Sequence, residues 1–194
     1  MKKLNGSKKL VTSVFISGTG SNLKKLINFS FKKNSPINIV LVVSNNKYAK
    51  GLRFSKKCKI DSKIYLYKNK TKSENKILKD LKKKKVELIC LAGFMKILSK
   101  NFIKRFNGKI LNIHPSLLPK YKGLNTHKRV IENNEKFSGC TVHVVNSKLD
   151  SGKIILQKKI KINKKDNYKT LKKKILKQEH LLYPKAIKKF ISNY

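Results

Sequence analysis

Acidic side chains are scarce in this chain. Nine Asp plus Glu stand against 49 Lys plus Arg in 194 residues, a formal charge of +40. Arginine is scarcer still: Arg53, Arg105 and Arg129 are the whole complement, which leaves 46 lysines. A base-reading surface relies on the bidentate guanidinium, and a chain nearly devoid of it is poorly equipped for sequence readout. The lysines are also spread along the whole chain instead of forming one stripe. Lys, Asn and Ile are together abundant, as A·T-rich codons would make them, so compositional drift accounts for the charge. Substrate steering and nucleic-acid contact stay open beside it.

Cysteine is limited to Cys58, Cys90 and Cys140, an odd number without CxxC spacing. Neither a disulfide framework nor a zinc site is suggested, and a reducing cytoplasm is expected. No apolar run approaches the roughly 20 residues of a membrane span, and the N-terminus lacks the pattern of a signal peptide.

What is present is the material of a folded core. Hydrophobic residues make up 39% of the chain and fall in compact runs such as Ile37 to Val43 and Leu88 to Ala92, unlike a disordered basic tail. The periodicity predicts strands at Leu10 to Ile16, Ile37 to Val43, Ile64 to Tyr67, Val86 to Leu91 and Lys109 to Ile113, with helical stretches between them. Strands alternating with helices imply an α/β fold with a doubly wound, mostly parallel sheet. Beyond a helix over Gly123 to Asn133, Cys140 to Val145 and Lys153 to Ile162 are separated by a short loop, which predicts an antiparallel C-terminal portion. A last helix starts near Asn167 and is expected to be interrupted at Pro184. The runs Lys82 to Lys85 and Lys172 to Lys174 are read as solvated helix faces. One domain over 10–194 follows a basic N-terminal extension, 1–9.

Three short motifs carry possible chemistry. Ser17-Gly18-Thr19-Gly20-Ser21-Asn22 joins the first strand to the first helix, where backbone N–H groups can converge on an anion. It is neither a P-loop nor a dinucleotide fingerprint, and it would serve equally as a plain strand-to-helix turn. Asn112 and His114 project together at a strand's C-terminal end, where open α/β sheets bind ligands. Such a pair can donate to an oxygen gaining negative charge and move a proton, which suits acyl transfer, or it can simply brace the turn. Asp150, in a loop that could return to the strand ends, is a candidate to orient His114 and favour its charged form, or a turn residue in Asp-Ser-Gly. His143, His127 and His180 are read as structural.

In combination these stretches resemble the phosphoribosylglycinamide formyltransferase family of folate-dependent enzymes. The matching segments are VFISGTGSNL (14–23), LAGFMKILS (91–99), LNIHPSLLPKYKGLNTHKRVIENNEKFSGCTVHVV (111–145), LDSGKIILQ (149–157) and KQEHLLYP (177–184). The resemblance implies the formyltransferase fold and transfer of a formyl group from 10-formyltetrahydrofolate, as co-substrate, to the amino group of glycinamide ribonucleotide in purine synthesis. It implies catalytic roles for Asn112, His114 and Asp150. It places the ribonucleotide on Gly20, Ser21 and Asn22 and on Leu176, Lys177, Gln178 and Glu179. Folate would meet Met95, Lys96, Ile97 and Leu98, together with Asn112 and the loop Asn146, Ser147, Lys148, Leu149 and Asp150.

The expected partners are small molecules, without a metal, a membrane or a specific nucleic acid, in a monomer or homodimer. Two departures stand out. The family's folate-contacting Arg is absent from Lys70-Thr71-Lys72-Ser73-Glu74, where Lys72 could supply only a point charge, and Lys122 replaces a usual proline. Methionyl-tRNA formyltransferase and formyltetrahydrofolate deformylase share the domain, but each is expected to carry a further one.

Overall fold

β-Branched and aromatic residues of LVTSVFI make Leu10–Ile16 the first strand, β1, of a computed structural model that describes residues 9–193. Of the basic extension only Lys9 falls within the described residues; its Nζ donates to the Ser30 carbonyl at 3.3 Å. The chain divides into two compact units, 1–110 and 111–194.

In the first unit, β1 pairs in parallel with β2 (Ile37–Ser44) and β4 (Leu88–Leu91), and β2 pairs in parallel with β3 (Asp61–Ile64). Parallel neighbours need crossovers, and α1 (Ser21–Ser30), α2 (Leu52–Lys57) and α3 (Lys70–Lys83) provide them. The core gathers Phe15, Leu23, Leu26, Ile77, Leu81 and Phe102, with the Phe15 ring edge-on to Phe94 and Phe102.

Three expectations shift here. The third strand lies earlier than Ile64 to Tyr67, because Tyr67 takes a left-handed φ of 56° that ends the extended run. The lysine run after α3 is helical only to Lys83, and Lys85 has φ 52°. A short helix not foreseen from periodicity, α4 (Lys100–Arg105), is fixed by capping: Ser99 Oγ accepts from Phe102 N at 3.0 Å. The buried Glu74 carboxylate in turn receives the Ser99 N–H at 2.9 Å and the Ser99 hydroxyl.

In the second unit, β5 (Lys109–His114, of which 111–114 belong here), β6 (Phe137–Val144) and β7 (Ile154–Lys161) pair antiparallel in that order. Parallel ladders in one unit and antiparallel ladders in the other make up the mixed α/β pattern expected. The helix α5 (Thr126–Glu132) starts later than Gly123, because Gly123 and Asn125 hold φ of 77° and 56°.

The final helix α6 (Tyr168–Ser192) runs through Pro184 without stopping. Buried Leu182, Tyr183, Ala186 and Ile187 flank the proline on both sides, and the Tyr183 hydroxyl donates to the Leu111 carbonyl at 3.0 Å. That packing outweighs the one backbone hydrogen bond a proline removes. The run Lys172 to Lys174 lies on α6, with Lys172 and Lys173 exposed and Lys174 paired with Asp166 at 2.6 Å. No described helix is long and apolar enough to cross a membrane.

Candidate active site

Within the first unit, the turn after β1 is built by backbone contacts. Gly20 is the N-cap of α1 at φ 71°, and a Cβ placed on it would lie 2.5 Å from the Gly51 Cα. Only two glycines can pass this closely. Gly51 N donates to the Gly18 carbonyl at 2.9 Å and Asn46 Nδ2 to the Ser17 carbonyl at 3.2 Å. The Ser17 hydroxyl donates to Asn45 Oδ1 and accepts from the Met95 N–H at 2.7 Å, so the segment holding Met95, Lys96, Ile97 and Leu98 is anchored to the end of β1. Met95, Lys96 and Ile97 are exposed and Leu98 is buried. Lys72 sits exposed in the first turn of α3, where its N–H is capped by Asn69.

Within the second unit, side chains do the work. The alternation along β5 sends Ile113 into the core and turns Asn112 and His114 to the other face. The antiparallel register sets Asn112 opposite His143 and His114 opposite Thr141. Asp150 returns from the loop after β6 and stands between two imidazoles: its Oδ2 is 3.4 Å from His114 Nδ1 and its Oδ1 is 3.6 Å from His143 Nε2. The Gly123 N–H donates to Asp150 Oδ2 at 2.9 Å, and Asn112 Nδ2 reaches Asp150 Oδ1 at 3.5 Å. His114 Nε2 lies 2.8 Å from the Tyr121 carbonyl, which can only accept, so Nε2 carries the proton. Sequence reasoning thus brought Asn112, His114 and Asp150 to one place and missed His143. Strand alternation put His143 on a face with Thr141, but only the register shows which face meets Asn112.

Asp150 favours the charged form of His114, the direction expected of it, but burial outweighs that influence. Burial is the largest influence and pulls the imidazole below its usual value. The Tyr121 carbonyl and the Asp150 carboxylate oppose it, while His143 and Arg129 pull the same way as burial. The outcome is a neutral ring at neutral pH, with its Nδ1 lone pair beside a carboxylate that would stabilise it once protonated. Burial alone would raise Asp150, but the neighbouring His143, the Gly123 N–H and the His114 imidazole hold it below the usual carboxylate range.

The other expected residues fall on two segments of this unit. Asn146 to Leu149 is an exposed loop, in which Asn146 Oδ1 accepts from Lys148 N at 2.9 Å. On α6, Glu179 is buried, Lys177 is exposed, and Leu176 and Gln178 are half-buried. The Cys140 thiol is pushed up to about 12, by burial first and then by Glu179. Among the described residues, no group of three or more His, Cys, Asp or Glu could hold a metal ion.

A carboxylate-buffered imidazole beside a carboxamide, at the end of a strand in an α/β fold, is an arrangement able to donate hydrogen bonds to an oxyanion and to move a proton. The chain belongs to the formyl transferase family, whose model matches residues 9–187. It is 43% identical over 181 residues to a phosphoribosylglycinamide formyltransferase of Haemophilus influenzae, covering 92% of this chain and 85% of that protein. It is 44% identical over 182 residues to the trifunctional purine biosynthetic protein adenosine-3 of Gallus gallus, covering 92% of this chain but only 18% of that one. The chain therefore spans under a fifth of such trifunctional relatives. The crystal structure of phosphoribosylglycinamide formyltransferase from Brucella melitensis superposes with a TM-score of 0.89 at 40% identity, covering 94% of this chain and 96% of the other.

Proposed function

We propose that this protein transfers the formyl group of 10-formyltetrahydrofolate to the amino group of N1-(5-phosphoribosyl)glycinamide, giving formylglycinamide ribonucleotide and tetrahydrofolate in the cytoplasm. The observation that carries this reading is the Asp150 carboxylate, held between His114 and His143 with Asn112 alongside. Residues 10–194 act as one formyltransferase domain, in keeping with a family match that spans both units.

The substrate amine attacks the formyl carbon, forming a C–N bond and a tetrahedral oxyanion. An Asn112 Nδ2–H and the His114 Nε2–H are the donors suited to that oxygen, the latter once it exchanges its bond to the Tyr121 carbonyl. The neutral imidazole accepts the proton released by the amine, and Asp150 stabilises the imidazolium. Collapse breaks the bond between the formyl carbon and N10 of the folate, and the proton passes to that nitrogen. Ordering two reactants against these groups supplies the remaining acceleration.

Gly20, Ser21 and Asn22 receive the ribonucleotide phosphate through the backbone N–H groups at the start of α1. Leu176 to Glu179 complete that substrate's contacts. Folate lies along Met95 to Leu98 and Asn146 to Asp150, with Lys72 as a point charge where the family uses an arginine. Incubating the purified protein with both substrates should yield formylglycinamide ribonucleotide and tetrahydrofolate. Folded protein that forms neither product would overturn the assignment.

A further inference from the structure

His143 was expected to be a structural residue, yet its ring nitrogens lie near Asn112 and Asp150, which bear on the proposed reaction, and near one backbone carbonyl. Its Nδ1 lies 3.0 Å from the Val144 carbonyl oxygen. A carbonyl accepts and never donates, so a neutral His143 carries its proton on Nδ1 and presents a lone pair at Nε2. That lone pair is 3.2 Å from Asn112 Nδ2, directly across the β5–β6 ladder. Only the amino end of the carboxamide can answer it; the carbonyl end would set one lone pair against another. Asp150 Oδ1, 3.5 Å from the same nitrogen, imposes the same sense.

We propose that His143 is a positioning residue that holds the Asn112 carboxamide with its amino group turned to the catalytic carboxylate. One hydrogen is anchored on His143 Nε2. The second is held loosely by Asp150, at the outer limit of a hydrogen bond, and is free to move to the oxyanion. A carboxamide turned the other way would bring Oδ1 to that place and repel the charge it is meant to stabilise. His143 is buried, at 2% exposure, so it acts through Asn112 instead of on a substrate. This inference rests on the formyl-transfer reading above.

Two measurements test it. The first needs no activity: 15N chemical shifts of the His143 imidazole near neutral pH should report the Nδ1–H tautomer, and an Nε2–H tautomer would overturn the proposal. The second compares His143→Leu, which removes the acceptor, with His143→Gln, whose Oε1 can replace it. The Leu variant should lose about 100-fold in kcat, as removal of one oxyanion donor does. Its KM for each substrate should stay within about threefold of the parent, and the Gln variant should recover most of the loss. Equal losses in the two variants, or a loss confined to KM, would overturn it. A parent protein that makes no formyl product would strike the functional reading instead, and the tautomer would still be decided separately.

Discussion

The glycine turn after β1 and the polar cluster at the end of β5 are both at strand ends, and they are built on opposite principles. The turn is built from backbone: Gly20 and Gly51 pass so closely that neither has room for a Cβ. The cluster presents side chains, each held by a partner whose own valence is already committed: Val144 fixes His143, His143 fixes Asn112, and Gly123 fixes Asp150. A backbone site tolerates changes of charge around it but no added volume. A side-chain site tolerates small changes of volume but no change of donor or acceptor.

The largest effect expected from breaking this contrast is chemical. His114→Ala and Asp150→Asn should each lower turnover by orders of magnitude with the folded state intact, as judged by thermal unfolding; near-normal turnover in either would dismiss its role. Gly20→Ala attacks the other principle. A methyl at 2.5 Å from the Gly51 Cα, on a backbone at φ 71°, should destabilise the protein by about 1–3 kcal/mol and raise KM for the phosphorylated substrate. A destabilisation within error of zero would mean the two glycines can part freely.

The pH dependence sharpens the comparison further. If the neutral His114 is the working form, kcat/KM should hold level from neutral pH past 6.5 and fall only below it, since the folded protein keeps that ring below its usual value. In Asp150→Asn the residual activity should fall off at still lower pH, because the carboxylate that raises the ring's proton affinity is gone. An acid limb that moved upward would contradict this.

His127 offers a purely structural counterpart. Burial first, then Lys172 and His114, lower it to about 4. The unfolded chain therefore binds its proton first, so the stability contributed by the neutral ring is complete above pH 6.5 and lost as pH falls toward 4. His127→Gln should lessen the fall of Tm across that interval; an unchanged slope would mean the ring takes no part. The smallest effect concerns the lysine-rich surface. If it draws in anionic substrates, kcat/KM should decline several-fold with added salt, and a flat response would remove that role.

Much of this was legible in the chain itself, and the exceptions share physical causes. Apolar runs located β1, β2, β4 and β5 because a buried strand must be continuously hydrophobic. Alternation placed Asn112 and His114 together for the same reason that it buried Ile113. Misplaced elements had weak local signals: β3 is exposed at every residue, α4 is six residues long, and Pro184 is overruled by apolar contacts on both sides of it. The partners of the cluster were harder still. Asp150 and Asn112 are 38 residues apart, and His143 required the β5–β6 register, which no local pattern encodes.

The excess of lysine is spread along the whole chain, whereas the groups with a specific chemical proposal are few. Asp150 itself carries a last consequence. Its backbone sits at φ 44°, a left-handed conformation that asparagine and glycine enter as easily as aspartate does. The main chain at this position is therefore indifferent to which of the three stands there, and only the side chain separates them. A library sorted for solubility or heat resistance has no backbone reason to reject asparagine or glycine at position 150, and if Asp150 acts as proposed, every such survivor would be a folded protein with its chemistry crippled.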